Sequence, residues 1–168
     1  MNRFNFSSWT ARAIFVAVLA CVVVSAAGCR ETFIPNTDVA DTPEHRKIID
    51  FCEDYRRAVE RKNIARLIEI ASPAYYEDGG NVDASDDIDY AGLREYLADR
   101  FSKATGIRYE IRYRRIRRDK QGYVLVDYTY SGSYRVPTSE GEKWSSTVEE
   151  NRLELEPHGE SFRVVAGM

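Results

Sequence analysis

At Ile107 the hydrophobic period of this chain changes from helical to alternating, and that change restricts the fold more than any motif does. Before it, apolar residues recur three and four apart: Ile48, Phe51, Cys52, Tyr55, Ala58 and Val59, then Ile64, Leu67, Ile68 and Ala71, then Leu93, Tyr96, Leu97 and Phe101. That spacing puts each set on one side of a helix. After it, Ile107, Tyr109, Ile111 and Tyr113 alternate with Arg108, Glu110, Arg112 and Arg114. Successive strand residues point to opposite faces, so this is a strand with one apolar side.

Local signals set the boundaries. Thr42 can cap a helix with Pro43 at its first position and Glu44 at the positive end of its dipole. Asn63 can cap a short second helix, which Ser72-Pro73 stops. A third helix is predicted from about residue 89 to 103, closed by Gly106. Asp119 to Gly122 reads as a hairpin turn, and Val124, Val126, Tyr128 and Tyr130 form the apolar face of the return strand. A loop containing Pro137 and Gly141 then leads to a strand over about 143–156. In that strand the apolar phase slips between Trp144/Val148 and Leu153/Leu155, which predicts a bulge near Glu149–Asn151. After a turn at 157–160, the last strand has Phe162, Val164 and Ala166 inward. The fold class is therefore α+β: three N-terminal helices packed on an antiparallel sheet of about four long strands.

The segment from Ile49 to Leu67, and the closing run Ser161-Phe-Arg-Val-Val-Ala-Gly-Met168, carry a resemblance. The first resembles the opening helix and short second helix of the nuclear transport factor 2-like superfamily, and the second resembles its terminal strand. The likeness spans about residues 44–168. It implies a cone-shaped fold with a curved sheet and a pocket between sheet and helices, as in ketosteroid isomerase. It implies no particular activity, because such folds host many chemistries.

Eleven tyrosines give that implied pocket its character. Tyr109, Tyr113, Tyr128 and Tyr130 are predicted to point toward the helices, and Tyr55 back from the first helix. These five are the candidate ligand-binding residues. They fit either a site for a small polar-aromatic ligand or a packed core whose hydroxyls bond backbone and water.

No catalytic set is evident. The isomerase branch of the superfamily uses a carboxylate base and a phenol. Here Glu77 and Asp78 read as loop acids, and Asp127 alternates onto the wet face. The two histidines, His45 and His158, lie in a first helical turn and a Pro-His-Gly turn. The loop 77–89 holds six carboxylates, yet Ile88 and Arg94 stand where a calcium loop needs Gly and Glu. No cofactor is implied. Arg112, Arg114, Arg115, Arg117, Arg118 and Lys120 crowd one strand and its turn. They suit either an anionic lipid surface or cross-strand pairing with Glu149, Glu150 and Glu154.

The N-terminus gives an address. Residues 13–27 carry no charge and follow Arg3 and Arg12. Fifteen residues suit a signal peptide better than a spanning helix of about 20. Ser25-Ala-Ala-Gly28 precedes Cys29, and this resembles the lipobox of bacterial lipoproteins, although Ala26 stands where Leu is usual. The resemblance implies cleavage before Cys29 and a lipid-attached Cys29. It further implies a place in the cell envelope, on the periplasmic side of the outer membrane, since Arg30 rather than Asp follows. Cys21 after Val18-Leu-Ala20 is the alternative site. On this reading residues 1–28 are signal peptide, 29–43 the lipidated cysteine and tether, and 44–168 one domain.

Removing the first 28 residues leaves 22 basic against 27 acidic residues. That balance does not suit nucleic acid, which requires a strongly basic surface. The expected partners are the membrane, through the anchor, and a small molecule or protein. The expected function is a non-catalytic ligand-binding or interaction module. The alternatives are a small isomerase or dehydratase using the same pocket, or an assembly subunit dimerising through the sheet.

Overall fold

The computed structural model describes residues 32–79 and 85–168. The signal segment and Cys29 lie outside the described residues, as do positions 80–84 of the acidic loop. Among the described residues, no helix is long and apolar enough to cross a membrane.

The helices begin where their caps are written. Helix α1 spans Pro43–Glu60, and the Thr42 hydroxyl accepts the His45 amide at 3.1 Å. Helix α2 spans Ile64–Ile70, and the Asn63 side chain accepts the Arg66 amide. Strands β1 (Tyr76–Glu77) and β2 (Ile88–Asp89) pair antiparallel. They tie together the two ends of what the sequence presents as an irregular acidic loop. Helix α3 spans Tyr90–Ser102 and is capped by Asp89.

Four strands follow in sequence order, each pairing with the next: β3 (Gly106–Arg118), β4 (Val124–Thr138), β5 (Gly141–His158) and β6 (Ser161–Ala166). The turn after β3 is fixed by Asp119, whose carboxylate accepts the Gln121 and Tyr123 amides, and by Gly122 at φ +94°. The loop expected around Pro137 is a tight turn, because β4 and β5 stay paired out to Thr138 and Gly141.

The bulge expected near Glu149–Asn151 is absent. The β4–β5 ladder runs unbroken from Val124↔Leu155 to Thr138↔Gly141. The register shifts fall elsewhere, at Tyr113/Arg115 in β3 and in β6 opposite Glu154/Leu155. The second shift pairs Ala166 with Glu154, so Ala166 leaves the inner face that Val164 keeps. With β5 in one phase, Trp144 and Val148 share the outer face. Val148 is 69% exposed, and Trp144 stacks under the Arg108 guanidinium at 4.7 Å.

The core lies between α1–α3 and the lower part of the sheet. Val124, Val126, Leu153, Leu155 and Val164 are fully buried from the sheet, and Ile48, Leu67 and Leu93 from the helices. Phe162 is half-buried and meets Phe51 edge-on at 5.8 Å. Residues 32–41, expected as tether, are folded onto this body. Phe33 bridges Ala40, Val39 is buried, and the Asp38 amide donates to the Tyr113 carbonyl. The packed unit thus begins before residue 44.

Cys52 sits inside α1 with no exposed surface and, among the described residues, no disulfide partner. Burial pushes its thiol pKa up, so the reactive thiolate is suppressed. A thiol reagent is expected to label Cys52 only after denaturation; rapid labelling of the native domain would mean that α1 is packed in a different phase.

Candidate functional site

The helices do not cover the whole inner face of the sheet. Between α3 and strands β3–β5 a cavity of about 630 Å³ opens. Its floor is apolar, built by Val59, Leu67, Leu97, Phe101, Ala104 and Ile107. Its sheet wall is polar: Ser145, Thr147, Glu149 and Asn151 come from alternate positions of β5. An apolar chamber with a few convergent polar groups is the usual form of a small-molecule site.

Of the five tyrosines singled out by sequence, Tyr55, Tyr109 and Tyr130 line this cavity. Tyr109 and Tyr130 lie 5.1 Å apart between ring centroids, and Tyr55 meets Tyr109 nearly edge-on at 6.4 Å. Tyr113 and Tyr128 do not line it. The Tyr113 hydroxyl donates to Glu53 Oε1 at 2.9 Å, on the α1 side of the core. Tyr128 is 1% exposed and packs beneath Tyr130 at 6.3 Å. Burial pushes the Tyr55 and Tyr128 phenols well above their ordinary pKa, and the neighbouring Tyr109 raises both further. Even so, among the described residues the Tyr128 hydroxyl has no hydrogen-bond partner of ordinary geometry.

The sequence reading missed Glu149. It placed this residue outside, because the assumed bulge reversed the phase of β5. In the unbroken ladder Glu149 stands opposite Tyr130 and shares a face with Leu153 and Leu155. Its two oxygens accept from the Thr147 hydroxyl at 2.7 Å and the Tyr130 hydroxyl at 2.8 Å. Those bonds hold the carboxyl below the usual carboxylate range, so it is ionised at neutral pH. Burial first, and Glu149 next, push the Tyr130 phenol up. Strict alternation back from Leu155 is the signal that finds Glu149. Tyr96, Tyr134 and Arg100 also line the cavity.

The arginines of β3 find other acids than those expected. Asp127 accepts from Arg152 at 2.7 Å and Arg115 at 3.1 Å, with Arg117 at 3.3 Å. Burial alone would raise the Asp127 carboxyl; the arginine bonds outweigh it and hold the group low. Asp38 takes Arg112 and Arg114, and Glu44 takes Arg118. Glu149, Glu150 and Glu154 are not the partners, because β4 separates β3 from β5 and no β5 residue lies opposite a β3 arginine. His45 bonds the Ala40 carbonyl at 2.8 Å, and His158 is exposed on the turn before β6. Neither lines the cavity.

The backbone is similar to solved structures of the nuclear transport factor 2-like, cystatin-like fold. A dehydratase candidate of that family from Streptomyces avermitilis superposes with a TM-score of 0.60 at 11% identity, over 75% of this chain and 95% of that one. A protein with a cystatin-like fold from Caulobacter vibrioides gives 0.57 at 15% identity, over 73% and 85%. A scytalone dehydratase candidate from Novosphingobium aromaticivorans gives 0.58 at 8% identity, over 74% and 80%. At these identities the likeness establishes the fold. No family model and no curated protein matches the sequence.

Proposed function

We propose that this chain is a lipid-anchored envelope protein whose domain binds a small molecule without chemical turnover. The observation that supports it is the open cavity, with an apolar floor and one polar wall, and a carboxylate in it that is poorly set for proton transfer. A general base works best with a pKa near the operating pH. Glu149 is shifted the other way, below the usual carboxylate range, by the bonds from Thr147 and Tyr130.

Binding is testable without knowing the natural ligand. Benzyl alcohol is small enough for the chamber and is expected to shift the backbone NMR signals of Ile107, Tyr109 and Thr147. Thr147 is half-buried on the sheet wall. Thr147→Trp should obstruct the sheet side of the cavity and abolish the shifts of Ile107 and Tyr109. Shifts that persist in the variant would place binding elsewhere.

One observation favours an enzyme: Glu149 accepts its bond from a phenol inside the cavity. A base beside a phenol is the pairing that proton abstraction next to a carbonyl uses. Exchange of ketone α-hydrogens for deuterium, dependent on Glu149, would establish this second reading.

Anchoring is supported by the uncharged run 13–27 and the small residues before Cys29. Two or three acyl chains would hold the protein on a membrane, where one alone holds weakly. Cys29→Ser is expected to move the protein to the soluble fraction and to abolish acyl labelling. The same loss from Cys21→Ser instead would move the cleavage site to Cys21.

A further inference from the structure

Glu149 is a solvent-exposed acid on the wall of an aromatic chamber. Both of its oxygens are engaged by neutral hydroxyls, and among the described residues no cation pairs with it. No lysine or arginine contributes to holding it ionised. Two cations stand on the helical wall: Lys103 is paired with Asp99 at 2.5 Å, and the Arg100 guanidinium, which keeps its charge, lies 5.1 Å over the Tyr96 ring, away from any hydrogen bond to Glu149. The Arg100–Tyr96 contact shows that a ring on this wall can carry a cation. Around Glu149 stand Tyr109, Tyr130 and Tyr134, all lining the same chamber.

A negative charge beside several aromatic rings suits one kind of ligand group. A cation within about 6 Å of a ring centroid is attracted by the ring's quadrupole, most strongly where water is displaced. A quaternary ammonium uses this best, because it has no N–H to satisfy and sheds water easily. The hydroxyl bonds to Glu149 place its charge against Tyr130.

We propose that the cavity recognises an organic cation, an alkylated ammonium group seated between the Glu149 carboxylate and the tyrosines of the sheet, with the ligand's apolar remainder on the floor. This rests on the reading of the cavity as a ligand site and names the class of ligand.

The probes are choline and the uncharged alcohol in which a tert-butyl group replaces its trimethylammonium, with benzyl alcohol as a neutral aromatic control. Titrations of the folded domain followed by NMR should show choline shifting the signals of Tyr130 and Thr147. Choline should bind about ten-fold tighter than its isostere, a ratio worth about 1.4 kcal/mol. Glu149→Gln keeps the shape of the side chain, and should erase that preference while leaving the isostere unchanged. Tyr130→Phe should retain choline binding, because the ring remains; Tyr130→Leu should weaken it. Equal binding of choline and isostere, or a preference that survives Glu149→Gln, overturns the cation proposal. Binding of benzyl alcohol with no response to choline also overturns it, and leaves the cavity a ligand site for neutral molecules. If no probe shifts any cavity signal, both readings fall together.

Discussion

Leu155→Ala is expected to destabilise the domain by about 2–5 kcal/mol, the range for truncating a buried leucine. Leu155 has no exposed surface and sits in β5 between Val124 on one side and Val164 on the other, both also fully buried. The methyl groups removed have no water to replace them, and the strands on either side cannot close the gap without shifting register. A typical domain has only about 5–15 kcal/mol to lose, so the variant should be marginal at room temperature. Val148→Ala, on the same strand but 69% exposed, should change stability by no more than about 0.5 kcal/mol. Chemical denaturation of the two variants measures both. Similar midpoints, or a worse effect at Val148, would mean that β5 is phased the other way and that Glu149 does not face the cavity.

Gly167→Ala should be nearly as damaging, by a different mechanism. Gly167 has φ +91°, where a Cβ is strained, and that Cβ would lie 1.8 Å from the Arg152 carbonyl oxygen. Left-handed backbone costs a non-glycine residue about 1–2 kcal/mol, and overpacking adds about 1–3 kcal/mol, so a loss of about 2–5 kcal/mol is expected. The chain can escape only by peeling the end of β6 away. That would break the bonds from the Gly167 amide to Glu77 and from the Met168 amide to the Tyr75 hydroxyl. Met168 also lines the cavity. The variant should therefore show faster amide exchange at Gly167 and Met168, and altered Tyr109 and Thr147 signals. A variant as stable as the parent, with an unchanged cavity, would rule out this close approach.

The alternation of β3 and β4 was legible because one face of each meets core along most of its length. Val124, Val126 and Tyr128 are buried while Leu125, Asp127 and Thr129 are partly exposed. The upper half of β5 was misread for the opposite reason. Its inner face carries Ser145, Thr147, Glu149 and Asn151, because it borders an open chamber rather than packed core. Its outer face carries Trp144 and Val148. Polarity there reports a cavity on one side and a cation–aromatic stack on the other, so an apolar pattern suggested a bulge that the ladder does not contain.

What the sequence determined by itself was local. The caps at Thr42, Asn63 and Asp89, the stop at Ser72-Pro73 and the turn at Asp119–Gly122 each follow from a side chain or a glycine acting on backbone within a few residues. The α+β order followed from the change of period at Ile107. Tertiary structure alone decided three things. It set the acid that each β3 arginine meets: Asp127 on the neighbouring strand, Asp38 in the segment before α1, and Glu44 in α1. It separated Tyr113 and Tyr128 from Tyr55, Tyr109 and Tyr130, which line the chamber. It brought Glu149 against Tyr130. Each of these is a contact between separate elements; those between strands are fixed by register, and a one-residue change in register moves a side chain to the other face of the sheet.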